Sequence, residues 1–204
     1  ERHPAPGVEV REGDPYAPAV LDAALAGRDV AINLVGILNE PGDNGRGFQR
    51  AHVELTRQLV AACQRTGVRR LLQMSSLNAG RGRSHYLRSR GEAEAVVKAS
   101  GLDWTIFQPS VVFGHGDGLY CRFAGLLALA PVIPLARAGA KFAPVYVGDV
   151  VEAFVRALRQ PATIGETYEL YGPEVFTLAD IVRQTAAQLG LRRVVLPLPD
   201  AIGR

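Results

Sequence analysis

Cysteine, methionine and tryptophan are scarce in this chain: 204 residues hold two, one and one of them, alongside four histidines. Cys63 and Cys121 have no metal-ligand spacing and no flank of a redox pair, and His3, His52, His85 and His115 are scattered, so no metal site is expected. Two reduced thiols in a cytoplasmic protein is the plain account of the cysteines. Long hydrophobic runs are missing as well. The longest, Phe123 to Ala136, falls short of the ~20 residues that cross a bilayer and is interrupted by Pro131 and Pro134. It reads as a buried helix lining a substrate cavity, or as an interfacial surface that touches a membrane or a partner subunit. Charge of one sign is also lacking, since 23 basic residues face 20 acidic ones for a net charge of +3. Arginines supply most of the positive charge, but no basic stripe interleaved with aromatics is present, which argues against nucleic acid as a partner. At 48% hydrophobic and 21% charged, with no repeat or low-complexity tract, the chain is an ordinary globular sequence able to bury a core.

The elements alternate. Gly7 to Gly13 alternates like a strand, Pro18 to Ala26 is helix-like and closed by Gly27, and Asp29 to Val35 is a nearly continuous apolar strand ahead of Gly36. Phe48 to Arg65 carries Val53, Leu55, Leu59, Val60 and Cys63 at helical spacing. Val68 to Met74 is a strand, Ser84 to Ser100 a helix, and Asp103 to Gln108 a strand halted by Pro109. Such alternation predicts βαβ units on a parallel sheet, with ligands at the carboxyl ends of the strands. Gly36, Ser75, Ser76, Pro109 and Ser110 fall at such ends. Further along, Asp149 reads as the N-cap of a helix over 150–158, and Thr177 with Asp180 as a capping box.

Ser75-Ser76 closes the third strand, and Tyr86-Leu-Arg-Ser-Arg90 heads the following helix. Residues i and i+4 share a helix face, so Arg90 brings a permanent positive charge beside the Tyr86 phenol and favours phenolate. A serine hydroxyl at the strand end would hydrogen-bond a substrate oxygen while Tyr86 passes the proton. Ser76, Tyr86 and Arg90 are therefore the expected catalytic set for oxidation or reduction of a carbonyl beside a nicotinamide.

Seven segments in order resemble the short-chain dehydrogenase/reductase superfamily in its extended and atypical, epimerase/dehydratase-like branches. They are Gly13-Asp14, Ala31 to Gly36, Met74-Ser75-Ser76, Tyr86 with Arg90, Thr105 to Gly114, Pro144 to Val150, and Tyr168 to Pro173. Within the superfamily they are most similar to the nucleotide-binding accessory subunit of respiratory complex I and its bacterial relatives. The resemblance implies an α/β, Rossmann-like, doubly wound parallel sheet forming a single domain over 1–204, with 111–140 and 164–204 as a small substrate-side lobe. It implies NAD or NADP as cofactor and a small-molecule substrate for an oxidoreductase or epimerase. The alternative is a non-catalytic, dinucleotide-binding accessory subunit with a protein partner, peripheral to the inner membrane. On this basis Asp14 lies near the adenine, and Leu34, Val35 and Gly36 lie along the ribose and pyrophosphate. Met74 and Ser75 support the strand end, Tyr86 and Arg90 face the nicotinamide opposite Ser76, and Pro109, Ser110 and Val111 close the cleft from the next strand.

The chain departs from the superfamily pattern in several places. The G-x-x-G-x-x-G turn whose backbone N–H groups hold the pyrophosphate is not found, so a first βαβ unit of ~30 residues is expected upstream. Leu196 to Asp200 is expected to lead into a further helix. The superfamily usually has lysine where this chain has Arg90, and arginine keeps its proton where lysine can relay one. His52 stands where many relatives have an asparagine; it reads equally as a helix histidine with a satisfied ring. Gln108 takes the place of a common arginine.

Overall fold

A computed structural model gives the fold, and the structure describes residues 6–198. In chain order the first elements are α1 (Pro18–Leu25), β1 (Val30–Asn33), α2 (Arg46–Phe48), a π-helical turn (Gln49–Glu54), α3 (Leu55–Thr66), β2 (Arg70–Met74), α4 (His85–Lys98) and β3 (Asp103–Pro109). There follow β4 (Val112–Phe113), α5 (Tyr120–Leu129), β5 (Val132–Leu135), β6 (Lys141–Phe142), β7 (Val145–Tyr146) and α6 (Val147–Arg159). A 3₁₀ turn (Pro161–Thr163), β8 (Glu166–Leu170), β9 (Phe176–Thr177), α7 (Leu178–Gln188) and β10 (Val194–Pro197) complete the order. The chain divides into two compact units, one running through Gln108 and including Gln160–Tyr168, the other formed by Pro109–Arg159 and the residues from Glu169 onward.

The first unit is built on the sheet β1-β2-β3-β8, in which β1, β2 and β3 are parallel. Parallel strands covered on both faces read as continuous apolar runs, and Leu71 and Leu72 of β2 are both fully buried on opposite faces. Val60 and Cys63 of α3, Val97 of α4 and Ile106 of β3 pack with Leu71 in one core cluster. Each helix has a local reason to start or stop. Ser84 caps α4 by accepting a hydrogen bond from Leu87 N at 3.2 Å, and Gly67 ends α3 in the left-handed region at φ 79°.

Residues 7–13 differ from expectation: they form no strand, because no described strand pairs with them and Val8 and Val10 stay exposed. The helix expected from Phe48 begins two residues earlier and passes through the π turn, which period counting does not detect.

The second unit pairs β4 with β7 and β5 with β10 in parallel, and β6 with β9 in antiparallel register. Leu127, Ile133, Leu135 and Val182 lie in its core cluster. The apolar stretch 123–136 is not one helix. It breaks at Pro131 into α5 and β5, because proline cannot donate the next helical hydrogen bond, and Leu129 is left 87% exposed. Asp149 is not an N-cap: α6 starts at Val147 and places the carboxylate inside its first turn, where it meets the positive end of the helix. The expected capping box is present, with Thr177 and Asp180 bonding each other's backbone N–H groups. Leu196 and Pro197 belong to β10, and the helix expected beyond Asp200 lies outside the described residues. Among the described residues no helix is long and apolar enough to cross a membrane. Cys63 is buried, which pushes its thiol up to about 11, whereas Cys121 is exposed.

Candidate functional site at the strand ends

The carboxyl ends of β1 and β2 are tied together by buried amides. Asn33 Nδ2 donates to Gln73 Oε1 at 3.0 Å and to Thr56 Oγ1 at 3.3 Å, while its Oδ1 accepts from Val35 N at 3.1 Å. Gln73 in turn donates to the Met74 carbonyl at 2.9 Å. Leaving an amide of this network unpaired would cost about 1–3 kcal/mol, so the exit path of both strands is fixed. That path turns Leu34 and Val35 outward, 61% and 47% exposed.

One face of α4 supplies the opposite wall through Tyr86, Arg90 and Glu94, successive i+4 positions. Arg90 is buried, and its Nη1 donates to the carbonyls of Val35 at 3.3 Å and Met74 at 3.2 Å. A Cβ on residue 36 would overlap its Nη2, so Gly36 is what lets the guanidinium lie between the strand ends. The Arg90 Cζ stands 5.5 Å from the centroid of the Tyr86 ring. The charge expected beside the phenol is thus anchored to backbone carbonyls.

The serine pair divides. Ser75 Oγ donates to Glu94 Oε1 at 2.6 Å, and the same oxygen accepts from Gln108 Nε2 at 2.7 Å. Gln108 is therefore engaged within the fold. Ser76 Oγ is buried and, like Arg90 Nε, has no partner among the described residues. Glu94 was missed by reasoning from sequence; its only signal is the i+4 step beyond Arg90.

His52, from the π turn, links the loop after β1 to α4. Its Nε2 accepts from Ile37 N at 3.2 Å, and its Nδ1 lies 2.8 Å from Ser89 Oγ. Ser89 gives its single proton to the Tyr86 carbonyl at 2.9 Å, which leaves Nδ1–H as the donor and the ring neutral. Burial first, then the charge of Arg90, pushes the His52 pKa down to about 4. Its ring meets Tyr86 edge-on at 5.5 Å, and Phe48 does so at 5.9 Å, so the tyrosine ring is boxed.

The site therefore brings together Val35, Gly36, Met74, Tyr86 and Arg90, with Ser75 tied in through Glu94. Asp14 sits in a turn ahead of α1, its carboxylate accepting from Tyr16 N at 3.0 Å. Pro109 is the last residue of β3, and Ser110 and Val111 enter the second unit, where Ser110 N bonds Leu170 O at 2.8 Å and Val111 O accepts from Val145 N at 2.9 Å. The two buried orphans, Ser76 Oγ and Arg90 Nε, are donors in want of oxygen acceptors, and Leu34 and Val35 offer apolar contact next to them in sequence. Ribose hydroxyls and a carboxamide suit such a donor set, so the residues fit a dinucleotide.

Known proteins resemble the chain in sequence and in fold. The pattern of the NAD(P)H-binding family matches residues 1–122. The mitochondrial NADH dehydrogenase [ubiquinone] 1 alpha subcomplex subunit 9 of Arabidopsis thaliana is 33% identical over 92% of this chain and 48% of its own length. The Mus musculus protein of that name is 31% identical over 86% of this chain and 47% of its own. The chain spans about half the length of these curated relatives. The dTDP-glucose 4,6-dehydratase DesIV of Streptomyces venezuelae, solved as a double mutant with NAD bound, superposes with a TM-score of 0.81 over 94% of this chain and 67% of its own, at 20% identity. That likeness establishes the Rossmann-like fold.

Proposed function

The chain belongs to the NAD(P)H-binding family, and from that premise we propose that it holds NAD or NADP across the ends of β1 and β2 as an accessory subunit of a respiratory assembly, without turnover. Its place is at the aqueous surface of the membrane that carries the assembly. The seating of Arg90 carries the reading. In a proton-passing member of the resembled superfamily a lysine stands here, and arginine does not release its proton. Nη1 is already committed to two backbone carbonyls. His52, neutral and bonded through both ring nitrogens, is no relay either. Neither neighbour can restore a proton given up by Tyr86. The names of the curated relatives support the accessory role.

The donors that remain serve binding. Ser76 Oγ and Arg90 Nε donate to ligand oxygens, and Leu34 and Val35 cover an apolar edge. When bound, a nicotinamide supplies hydride chemistry. A second reading, a carbonyl oxidoreductase or epimerase acting on a small molecule, is favoured by one observation: the Ser76 hydroxyl is buried with nothing to bond, as a donor to a substrate oxygen would be.

Calorimetric titration of the whole protein with NADH and NADPH, together with a turnover screen over carbonyl and nucleotide-sugar substrates, separates the readings. Saturable binding, a melting temperature that rises with dinucleotide and no turnover are expected. Cofactor-dependent turnover abolished by Tyr86→Phe would establish the second reading, and failure to bind either dinucleotide would sink both.

A further inference from the structure

On the outer surface of the first unit, away from the amide network and Arg90, a groove of about 580 Å³ runs between the α2–α3 helical run and α4. Its volume falls in the range of small-ligand sites, ~300–1,000 Å³. Arg46, Arg50 and Arg57 line it from one side, and Arg88 with His85 from the other. Arg46 and Arg57 make no ion pair with any described residue, and Arg50 lies 4.5 Å from the centroid of the Tyr16 ring, which orients it without neutralising it. Arg88 Nη2 donates to His85 Nδ1 at 2.9 Å. His85 lies directly on the Gly45 backbone, where a Cβ would overlap its ring, so glycine at 45 allows α4 to close on this wall.

The opposing charge is small. Glu54 and Glu92 are the carboxylates of the groove, and Glu92 accepts from Gln49 Nε2 at 2.7 Å. Four guanidiniums against these two carboxylates, with the Glu40 carboxylate behind the wall at Gly45, leave the groove net positive. The N-terminus of α2 does not contribute, because Glu40 accepts from Gly45 N and Gly47 N at 2.6 Å and from Phe48 N at 3.2 Å. The field in the groove comes from side chains alone, and planar forks on two walls are suited to bidentate contact with tetrahedral oxyanions.

We propose that this groove is an anion site for a phosphate group carrying two negative charges, distinct from the dinucleotide site. Free phosphates and phosphomonoester lipid headgroups share this chemistry. Arg46 and Arg57 supply unpaired charge from one wall and Arg88 from the other.

The test uses two probes with the whole protein at low salt: inorganic pyrophosphate by calorimetry, and cosedimentation with phosphatidylcholine vesicles containing or lacking phosphatidic acid. Binding is expected in at least one arm, at least 10-fold weaker in Arg46→Ser/Arg57→Ser, and weakened again by raising salt. Pyrophosphate binding assigns a free phosphate, and binding confined to phosphatidic acid vesicles assigns a lipid headgroup. Arg122→Ser/Arg159→Ser removes the same charge from exposed positions of the second unit and should leave binding intact; Arg88→Ser should weaken it even if the double variant does not fold. The proposal is overturned by no binding in either arm, by equal loss in the charge-matched control, or by undiminished binding in Arg88→Ser. NADH titration of the same variants should be unchanged, which keeps this outcome apart from that of the dinucleotide site.

Discussion

Glu94 holds two buried donors with one oxygen, and its removal would strand both. The Ser75 hydroxyl and the Gln108 amide would be left without an acceptor, at about 1–3 kcal/mol each. Glu94→Ala is therefore expected to lower stability by about 2–5 kcal/mol in urea denaturation, whereas Glu94→Gln, which keeps an accepting oxygen, should cost less than about 1 kcal/mol. His52 adds a pH dependence of known sign. The unfolded chain binds a proton near 6.5 and the folded one only near 4, so between these values the unfolded state holds more protons and stability rises with pH. A fall from pH 7 to 5 should cost about 2 kcal/mol, and His52→Gln should flatten that slope. Glu40 and Asp180, whose carboxyls are held below their usual range, add losses only at lower pH and do not obscure the comparison. The i+4 spacing of Tyr86 and Arg90 was legible in the sequence, because helix geometry is local. Where the guanidinium fork ends was not, since it is set by carbonyls of two strands distant in the chain.

At the scale of elements, strands and helices with strong periodicity were readable, and the misreadings share a cause. Residues 7–13 alternate correctly but have no described neighbour to pair with, and alternation specifies a face without supplying a sheet. The π turn at Gln49–Glu54 gives no compositional signal, although it carries the buried His52 and Val53. Local rules did hold at α7, where the cap is written in four residues. Thr177→Ala should cost about 1 kcal/mol, read from the urea midpoint, because it removes the acceptor of the Asp180 N–H.

For the whole molecule, the ordered series of short segments made the fold and the dinucleotide-binding family legible, although no single segment decides either. The chain passes from one compact unit into the other at Pro109. The two thiols, one in each unit, give the last prediction. In the native protein at neutral pH iodoacetamide should modify Cys121 and spare Cys63, and mass spectrometry should find two adducts only after denaturation.

That difference has a practical side. A maleimide dye applied to the folded protein would enter the second unit alone, while the sole tryptophan, Trp104, glows from a strand of the first. Without any engineered residue, the chain thus offers one intrinsic emitter in the first unit and one labelling point in the second, so each unit can be watched by its own signal as dinucleotide is added.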